Sequence, residues 1–340
     1  MDKLAVVILN WNGREMLERY LPTLVRCSNI SGVSIVVADN CSTDGSVDMM
    51  RERFPEIRLV ELDRNYGFAG GYNIALKQVE AEYYMLLNSD VEVTDSWLEP
   101  MLEYMDAHPE VAACQPKLLD LKNRSLFEYA GAAGGYMDKW GYLFCRGRIF
   151  GSVEADNGQY DDIRSLFWAT GAAMMIRSVD FWGAGALDEC FFAHQEEIDL
   201  CWRLRSRNRG IVCVSRSSVY HVGGATLSAS NPYKTFLNFR NNLLMLYKNL
   251  PEERLGKVMF IRFWLDILAM LMFVAKFDFK DAAAVVRGRR EFRRMRPAFV
   301  SKRQDNLSAA TLCSIPEIAD FSILARYHLG RRKYFSDLAF

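Results

Sequence analysis

Tyr84-Met85-Leu86-Leu87-Asn88-Ser89-Asp90 is the stretch on which the fold turns. An apolar run with strand character stops abruptly at a short polar loop that ends in a carboxylate. Open α/β sheets bind ligands beyond the carboxyl ends of their strands, and Asp90 stands at such an end. The plainer reading is that Asp90 caps a helix expected over residues 94–104, or lies in a solvated turn. The surrounding chain decides between the two.

Upstream, Leu4-Ala5-Val6-Val7-Ile8-Leu9 reads as a buried parallel strand, because it is continuously apolar rather than alternating. Asn10-Trp11-Asn12-Gly13 breaks it, and an amphipathic helix with Met16, Leu17, Tyr20, Leu21 and Leu24 follows. A second strand over residues 33–38 runs into Asp39-Asn40-Cys41-Ser42-Thr43-Asp44-Gly45-Ser46, all turn or cap formers. A third near residues 57–61 leads into Asn65-Tyr66-Gly67-Phe68-Ala69-Gly70-Gly71-Tyr72-Asn73, whose glycines are expected to let backbone approach a ligand. This is the βαβ rhythm of a doubly wound sheet with a site along its carboxyl edge.

Taken in order, Val6 to Gly13, Asp39-Asn40 with Ser42 to Ser46, Asn65 to Asn73 and Leu87-Asn88-Ser89-Asp90 resemble the family 2 glycosyltransferases. These are inverting enzymes with the GT-A nucleotide-sugar fold. The chain looks most like their bacterial rhamnosyltransferase-like branch, which includes galactofuranosyl transferases. The resemblance spans residues 3–250. It implies a mostly parallel central sheet flanked by helices in a transferase domain over 1–250. Residues 1–115 would form its nucleotide-binding half, 116–250 its acceptor and catalytic half, and 251–340 a helical appendage. No Gly-x-x-x-x-Gly-Lys loop and no Gly-x-Gly-x-x-Gly follows the first strand, against an NTPase or dinucleotide enzyme.

A third block is Asp188-Glu189-Cys190-Phe191-Phe192-Ala193-His194-Gln195-Glu196-Glu197-Ile198-Asp199-Leu200-Cys201-Trp202-Arg203. A polar loop enters a helix with Ile198, Cys201, Trp202 and Leu204 facing inward. Attraction of acids to a helix N-terminus, about 0.3–1 kcal/mol each, explains one or two acids but not three beside an aromatic loop. The block resembles the Glu-Asp pair that opens the acceptor helix, whose second member is the general base. That role falls on Glu197, with Glu196 in first place. Glu stands where the family has Asp, so Glu196 is the alternative base.

A fourth feature is His221 in Val219-Tyr220-His221-Val222-Gly223-Gly224, after a strand expected over 211–214. Such a histidine is ordinarily structural or exposed. The resemblance implies instead that it joins Asp90 on a divalent metal, Mg²⁺ or Mn²⁺, with the donor's diphosphate and water completing the shell. It also implies that Asp39 accepts the N3–H of a uracil or thymine, and that Asn10, Asn12, Asn40, Asn65, Gly67 and Asn88 line the nucleotide-sugar pocket. Residues 169–173, with Gly171, would pass beneath the donor sugar. Arg240 either reaches the diphosphate or is a helix-surface arginine.

The 340 residues carry zero formal net charge and are half hydrophobic, which excludes a globally basic nucleic-acid binder. Eight cysteines without a Cys-x-x-Cys pair read as reduced thiols of a cytoplasmic protein, and the N-terminus carries no charged-then-apolar leader. Residues 116–163, rich in aromatics and glycine, read as a hairpin closing the sheet mixed with an acceptor-binding flap. Residues 255–277 are strongly apolar. Their longest uncharged run, 267–275, is short of the ~20 residues of a spanning helix, so a core-packed or interfacial helix is expected. Arg287-Gly288-Arg289-Arg290-Glu291-Phe292-Arg293-Arg294-Met295-Arg296 is either a solvated face or a dock for anionic lipid, giving peripheral membrane contact through 255–303.

The expectation is therefore an inverting, metal-dependent glycosyltransferase acting at the inner membrane face. It would add one sugar from dTDP-rhamnose, or else a UDP-hexose or UDP-galactofuranose, to a glycan or lipid-linked acceptor of a bacterial surface polysaccharide. No Gln-x-x-Arg-Trp sequence of processive members occurs. A nucleotidyltransferase and a non-catalytic carbohydrate-binding subunit are the other classes. The first lacks its triphosphate loop, and the second is motivated by the Glu-for-Asp change.

Overall fold

The computed structural model describes residues 1–223, 231–338 and 340. Strands β1 (Asp2–Asn10), β2 (Val33–Asp39), β3 (Arg58–Glu61) and β4 (Ala81–Leu87) alternate with helices Arg14–Cys27, Ser46–Arg53 and Gly67–Leu76. They pair in parallel in the order β3-β2-β1-β4. Because successive strand residues face opposite ways, β1 feeds two cores. Leu4, Val6 and Ile8 pack with Leu17, Leu21 and Met50 on one face, while Ala5 and Val7 pack with Tyr72 and Ala75 on the other. This double burial is why the strand reads as an unbroken apolar run.

The sheet continues through β5 (Val91–Val93) and β6 (Val111–Asp120). A second, five-stranded sheet is built from β7 (Gly135–Asp138), β8 (Leu143–Cys145), β9 (Arg148–Ile149) and β10 (Ser152–Val153), joined later by a strand from the C-terminal tail. The chain then returns to the main sheet as β11 (Arg164–Ser165), β12 (Ala173–Arg177) and β13 (Gly210–His221). Strand β12 runs antiparallel between β4 and β6, β13 lies parallel beside β6, and β5 pairs antiparallel with β13.

Two expectations are corrected here. The helix expected over 94–104 begins at Glu99 and ends at Ala107, because β5 and a turn carrying buried Trp97 and Leu98 come first. Asp90 therefore caps no helix but sits in the turn between β4 and β5. The strand expected over 211–214 runs on to His221, past an irregularity between Cys213 and Ser218.

Beyond residue 250 come helices Glu252–Ala275, Phe279–Met295 and Val300–Ala309. The tail then turns back: β14 (Ile318–Ala319) pairs in parallel with β7. Phe335 lies 5.3 Å from Tyr136, and Ile315, Ile323 and Leu338 are buried in the same core cluster. The boundary at 250 therefore does not detach a separate appendage, since the tail completes the second sheet. Helix Glu252–Ala275 is long and apolar enough to cross a membrane by length and composition alone. The uncharged run 267–275 understates its apolar length, because the charges that interrupt the helix before that run, Arg262 and Asp266, are buried against each other. All eight cysteines are free, and five of them are buried.

Candidate active site

Parallel pairing sets Asn10 beside Asp39 and Asp39 beside Glu61 at the carboxyl edge. Asn10 Nδ2 donates to Asp39 Oδ2 (2.9 Å) and Ser42 Oγ (3.2 Å), and Ser42 N donates to Asp39 Oδ1 (2.8 Å). Asn12, at φ 52°, donates from its backbone to Ser42 Oγ and accepts from Thr43 N at 2.7 Å. The loops after β1 and β2 are thereby zipped into one wall. Each Asp39 oxygen holds one donor and keeps capacity for another, and Asn10 Oδ1 is buried with no partner.

Asn40 and Asn65 behave differently from expectation. Asn40 Nδ2 donates to Asn65 Oδ1 (3.1 Å) and Gly67 O (3.0 Å), while its Oδ1 accepts from Tyr66 N (3.0 Å). Asn65 Oδ1 also accepts from Gly67 N at 2.8 Å. These amides shape the loop rather than face an open pocket. Gly67 sits at φ 72°, and a Cβ there would lie 2.5 Å from the Phe192 ring and 2.6 Å from its carbonyl oxygen. The close approach that demands glycine is thus to Phe192, not to a ligand. Phe192 O accepts from Phe68 N (2.7 Å) and Ala69 N (3.2 Å), ending helix Gly67–Leu76 on the loop that precedes Glu196.

Asp90 and His221, 131 residues apart, meet because β5 pairs with β13 at Val91 and His221. His221 Nε2 lies 3.1 Å from Asp90 Oδ1, and both side chains are buried. On the ring's other side, Nδ1 lies 3.3 Å from Glu128 Oε1, outside hydrogen-bond alignment. Burial disfavours the imidazolium, but Asp90 and Glu128 together outweigh it and push His221 up to about 10. The ring is thus held as an imidazolium between two carboxylates, and a metal ion on Nε2 would have to displace its proton while Glu128 stays against Nδ1. An oxygen and an imidazole nitrogen at one point suit Mn²⁺ or Mg²⁺. Among the described residues no group of three or more His, Cys, Asp or Glu is arranged to hold an ion alone. Substrate and water would have to supply the other donors. Gly224, next to this strand end, lies outside the described residues.

The connection to Glu197 runs through the main sheet. Asn88 N donates to Ala172 O at 3.0 Å, tying the Asp90 turn to residues 169–173. A Cβ on Gly171 would meet Phe68 at 3.2 Å and Glu197 Cβ at 3.6 Å. Glu196 and Glu197 open helix Glu196–Ser206 directly beside this segment, and Ile198, Cys201, Trp202 and Leu204 face inward as the pattern predicts.

The three acids of the first turn are not alike. Asp199 is fully buried and satisfied: it accepts from Lys248 Nζ (2.8 Å), Arg203 Nε (3.0 Å) and Asn249 Nδ2 (2.8 Å). Glu196 and Glu197 each keep a buried oxygen with no donor. A buried carboxylate without partners is costly, so it responds by holding its proton. Burial raises Glu197 to about 7, against a partial pull from nearby backbone N–H groups. Burial, then the charge of Glu197, raises Glu196 well above the ordinary carboxyl range. A carboxylate poised near neutrality is suited to general-base work. The preceding His194 and Gln195 both have positive φ (69° and 73°), backbone strain of the kind found at functional sites.

Arg240 is corrected. Its Nη2 donates to Phe191 O (2.8 Å) and Cys190 O (3.2 Å) on the loop before Glu196, and its Nε donates to Asn241 Oδ1 (2.8 Å). It is a buried support for that loop and not a surface arginine. Two residues absent from the sequence reading emerge beside it. Asn241 Nδ2 holds the carbonyls of Phe191 (3.0 Å), Ala193 (2.8 Å) and His194 (2.7 Å). Glu128 stands against His221 but comes from an irregular stretch that offers no periodic signal. Asn241 could have been noticed only as an asparagine pair inside an apolar helical pattern.

The sequence model described as Glycosyl transferase family 2 matches residues 5–144. The chain is 26% identical to the low-salt glycan biosynthesis hexosyltransferase Agl10 of Haloferax volcanii, over 72% of this chain and 75% of that protein. It is 25% identical to the N-acetylglucosaminyl-diphospho-decaprenol L-rhamnosyltransferase of Mycobacterium tuberculosis, over 65% of this chain and 76% of the other. Among solved structures, GalNAc-T7 with UDP, GalNAc and Mn²⁺ superposes with a TM-score of 0.57 at 14% identity, covering 73% of this chain and 48% of that one. That likeness bears on the fold, which is GT-A. Residues 5–144 match the family 2 model, and that domain, the relatives and the sheet that carries the site make the chain a glycosyltransferase.

Proposed function

We propose that this enzyme transfers one sugar, with inversion, from a nucleotide diphosphate sugar to a hydroxyl of a glycan or lipid-linked oligosaccharide. The donor placed first is dTDP-rhamnose, with UDP-hexose or UDP-galactofuranose second. The setting is bacterial surface polysaccharide synthesis at the inner face of the cytoplasmic membrane. The observation that carries the reading is the adjacent pair Glu196 and Glu197, each with one buried oxygen lacking a donor, beside Gly171 on the segment bonded to the Asp90 turn.

Asp39 and Asn10 bind the base, with the fused loops after β1 and β2 as its wall. Gly171 and Ala172 leave room for the sugar. Asp90 and His221 would hold a divalent cation, Mn²⁺ or Mg²⁺, whose positive charge offsets that of the departing diphosphate. Glu128 orients His221. Glu197 takes the acceptor's hydroxyl proton as the acceptor oxygen bonds to the anomeric carbon from the opposite face. The bond from that carbon to the diphosphate breaks, and its electron pair leaves with the nucleotide. Glu196 keeps its own proton and so does not compete as a base.

A panel of nucleotide sugars tests this, read as thermal shift and nucleotide release with and without Mn²⁺. The expected result is a dTDP- or UDP-linked donor that stabilises the protein only with metal. Glu197→Gln should then retain donor binding while transfer falls about 10²–10⁴-fold. Transfer within threefold of wild type would remove Glu197 from the reaction.

A further inference from the structure

Helix Glu252–Ala275 is built inside out. Of its 24 residues only Val258, Arg262 and Asp266 are buried. Spaced four apart, they form one inward stripe, and two of the three are charged. Arg262 lies 3.2 Å from Asp266 and donates to Asn242, while Asp266 also takes Arg289 from the next helix. The outward stripe is Phe260 (62% exposed), Trp264 (55%), Leu268 (53%) and Leu271 (52%), and it runs on into Phe277 and Phe279 at the hairpin. A helix in contact with water has the opposite arrangement. So contiguous an apolar surface marks an interaction site.

We infer that this helix lies in the plane of an anionic lipid bilayer, with Phe260, Trp264, Leu268 and Leu271 in the headgroup–acyl boundary. The inference deepens the membrane setting of the proposed function and rests on it only for the location of the acceptor. Charge identifies the occupant. Exposed Lys276 and Lys280, with Asp278 between them, lie in the hairpin that ends the apolar helix, and exposed Arg287, Arg290 and Arg293 lie on the helix that follows. A second copy of the chain, docked face to face, would set two such basic rows against each other. Anionic headgroups neutralise them. The buried clamp decides between lying and spanning. Arg262 and Asp266 sit near mid-helix and are tied to Asn242 and Arg289 of the folded body. A crossing helix would carry both charges into hydrocarbon and strip them of those partners. Lying flat keeps the clamp and still hides the apolar face.

The clamp also gives the surface a route to the chemistry. Asn242 Nδ2 donates to Gln195 Oε1 at 3.1 Å, and Gln195 directly precedes Glu196. The helix that carries the apolar face is therefore linked through Arg262 and Asn242 to the residue before Glu196.

The test is co-sedimentation of the full chain with phosphatidylcholine vesicles, with and without about 30 mol% phosphatidylglycerol, at low and high salt. Binding at least tenfold stronger to the anionic vesicles, and weakened by salt, is expected. Trp264→Glu and Leu268→Glu should each lower it at least tenfold, as should Arg290→Glu combined with Arg293→Glu. Circular dichroism and light scattering of the same samples report folding and mass. Wild-type protein that stays in the supernatant with both vesicles overturns the inference. So does a dimer that Trp264→Glu splits while no protein sediments. Should a glutamate variant unfold, the wild-type comparison between the two vesicle types still decides. No sugar enters this assay, so failure here leaves the transfer reading standing, and failure of the donor panel leaves this one standing.

Discussion

Gly67→Ala should loosen the loop after β3 from the loop before Glu196 at a predictable cost. The residue sits at φ 72°, where an L side chain costs roughly 1–2 kcal/mol. The added methyl would lie 2.6 Å from Phe192 O, which accepts from Phe68 N and Ala69 N at the start of helix Gly67–Leu76. Displacing that carbonyl weakens two hydrogen bonds worth about 0.5–1.5 kcal/mol each. The total is about 2–5 kcal/mol. An unfolding entropy of about 2.1 cal/mol/K per residue over this chain gives roughly 0.7 kcal/mol/K, so Tm should fall by about 3–7 °C. Gly256 provides an internal control. It lies inside a helix with nothing within 4 Å of a built Cβ, so Gly256→Ala should raise Tm by about 1 °C. Differential scanning fluorimetry of both variants suffices. A fall under about 1 °C for Gly67→Ala would refute the steric argument.

Glu197 makes a pH prediction of definite sign. Its carboxyl is raised to about 7 in the folded protein, so the folded state binds the extra proton. Stability from this group is full below its unfolded value near 4.5 and is lost as pH rises through 7. Glu197→Gln should therefore match wild type at pH 4.5 and melt higher at pH 8, on the order of 1–3 kcal/mol, whereas transfer by wild type should climb through pH 7. Equal melting of the two proteins at pH 8 would contradict the buried-carboxyl account. Glu128→Gln should weaken Mn²⁺ binding about 10–100-fold in calorimetry with the nucleotide diphosphate present, and unchanged affinity would free Glu128 of any link to the ion. Asp266→Ala leaves buried Arg262 unpaired and should cost about 3–5 kcal/mol in denaturant unfolding. A loss below 1 kcal/mol would show that the pair is hydrated.

How much was legible in the sequence follows from how each feature is encoded. Strands β1, β2 and β4 announce themselves because both faces are buried, so apolar residues run unbroken. Glu196 and Glu197 stand out because acids cluster against an aromatic loop. The Asp90–His221 encounter has no such local mark. It is made by β5, three residues long, whose pairing with distant β13 overrides the helical look of residues 94–104. Arg240 reads from sequence as either a diphosphate contact or a helix-surface arginine, because a helix pattern does not reveal that the loop before Glu196 folds over it. Arg262 and Asp266 were visible as charges in an apolar run, but a one-dimensional pattern cannot say which face is buried.

The pairing of β14 with β7 has a consequence for biogenesis. The second sheet gains its last strand only from residues 318–319, and its aromatic core awaits Phe335. A nascent chain emerges N-terminal end first, so the β1–β4 half can form early while β7–β10 waits for residues 318–335. Chains truncated before residue 318 would therefore carry a finished β1–β4 wall and a ragged middle, a natural substrate for quality-control proteases.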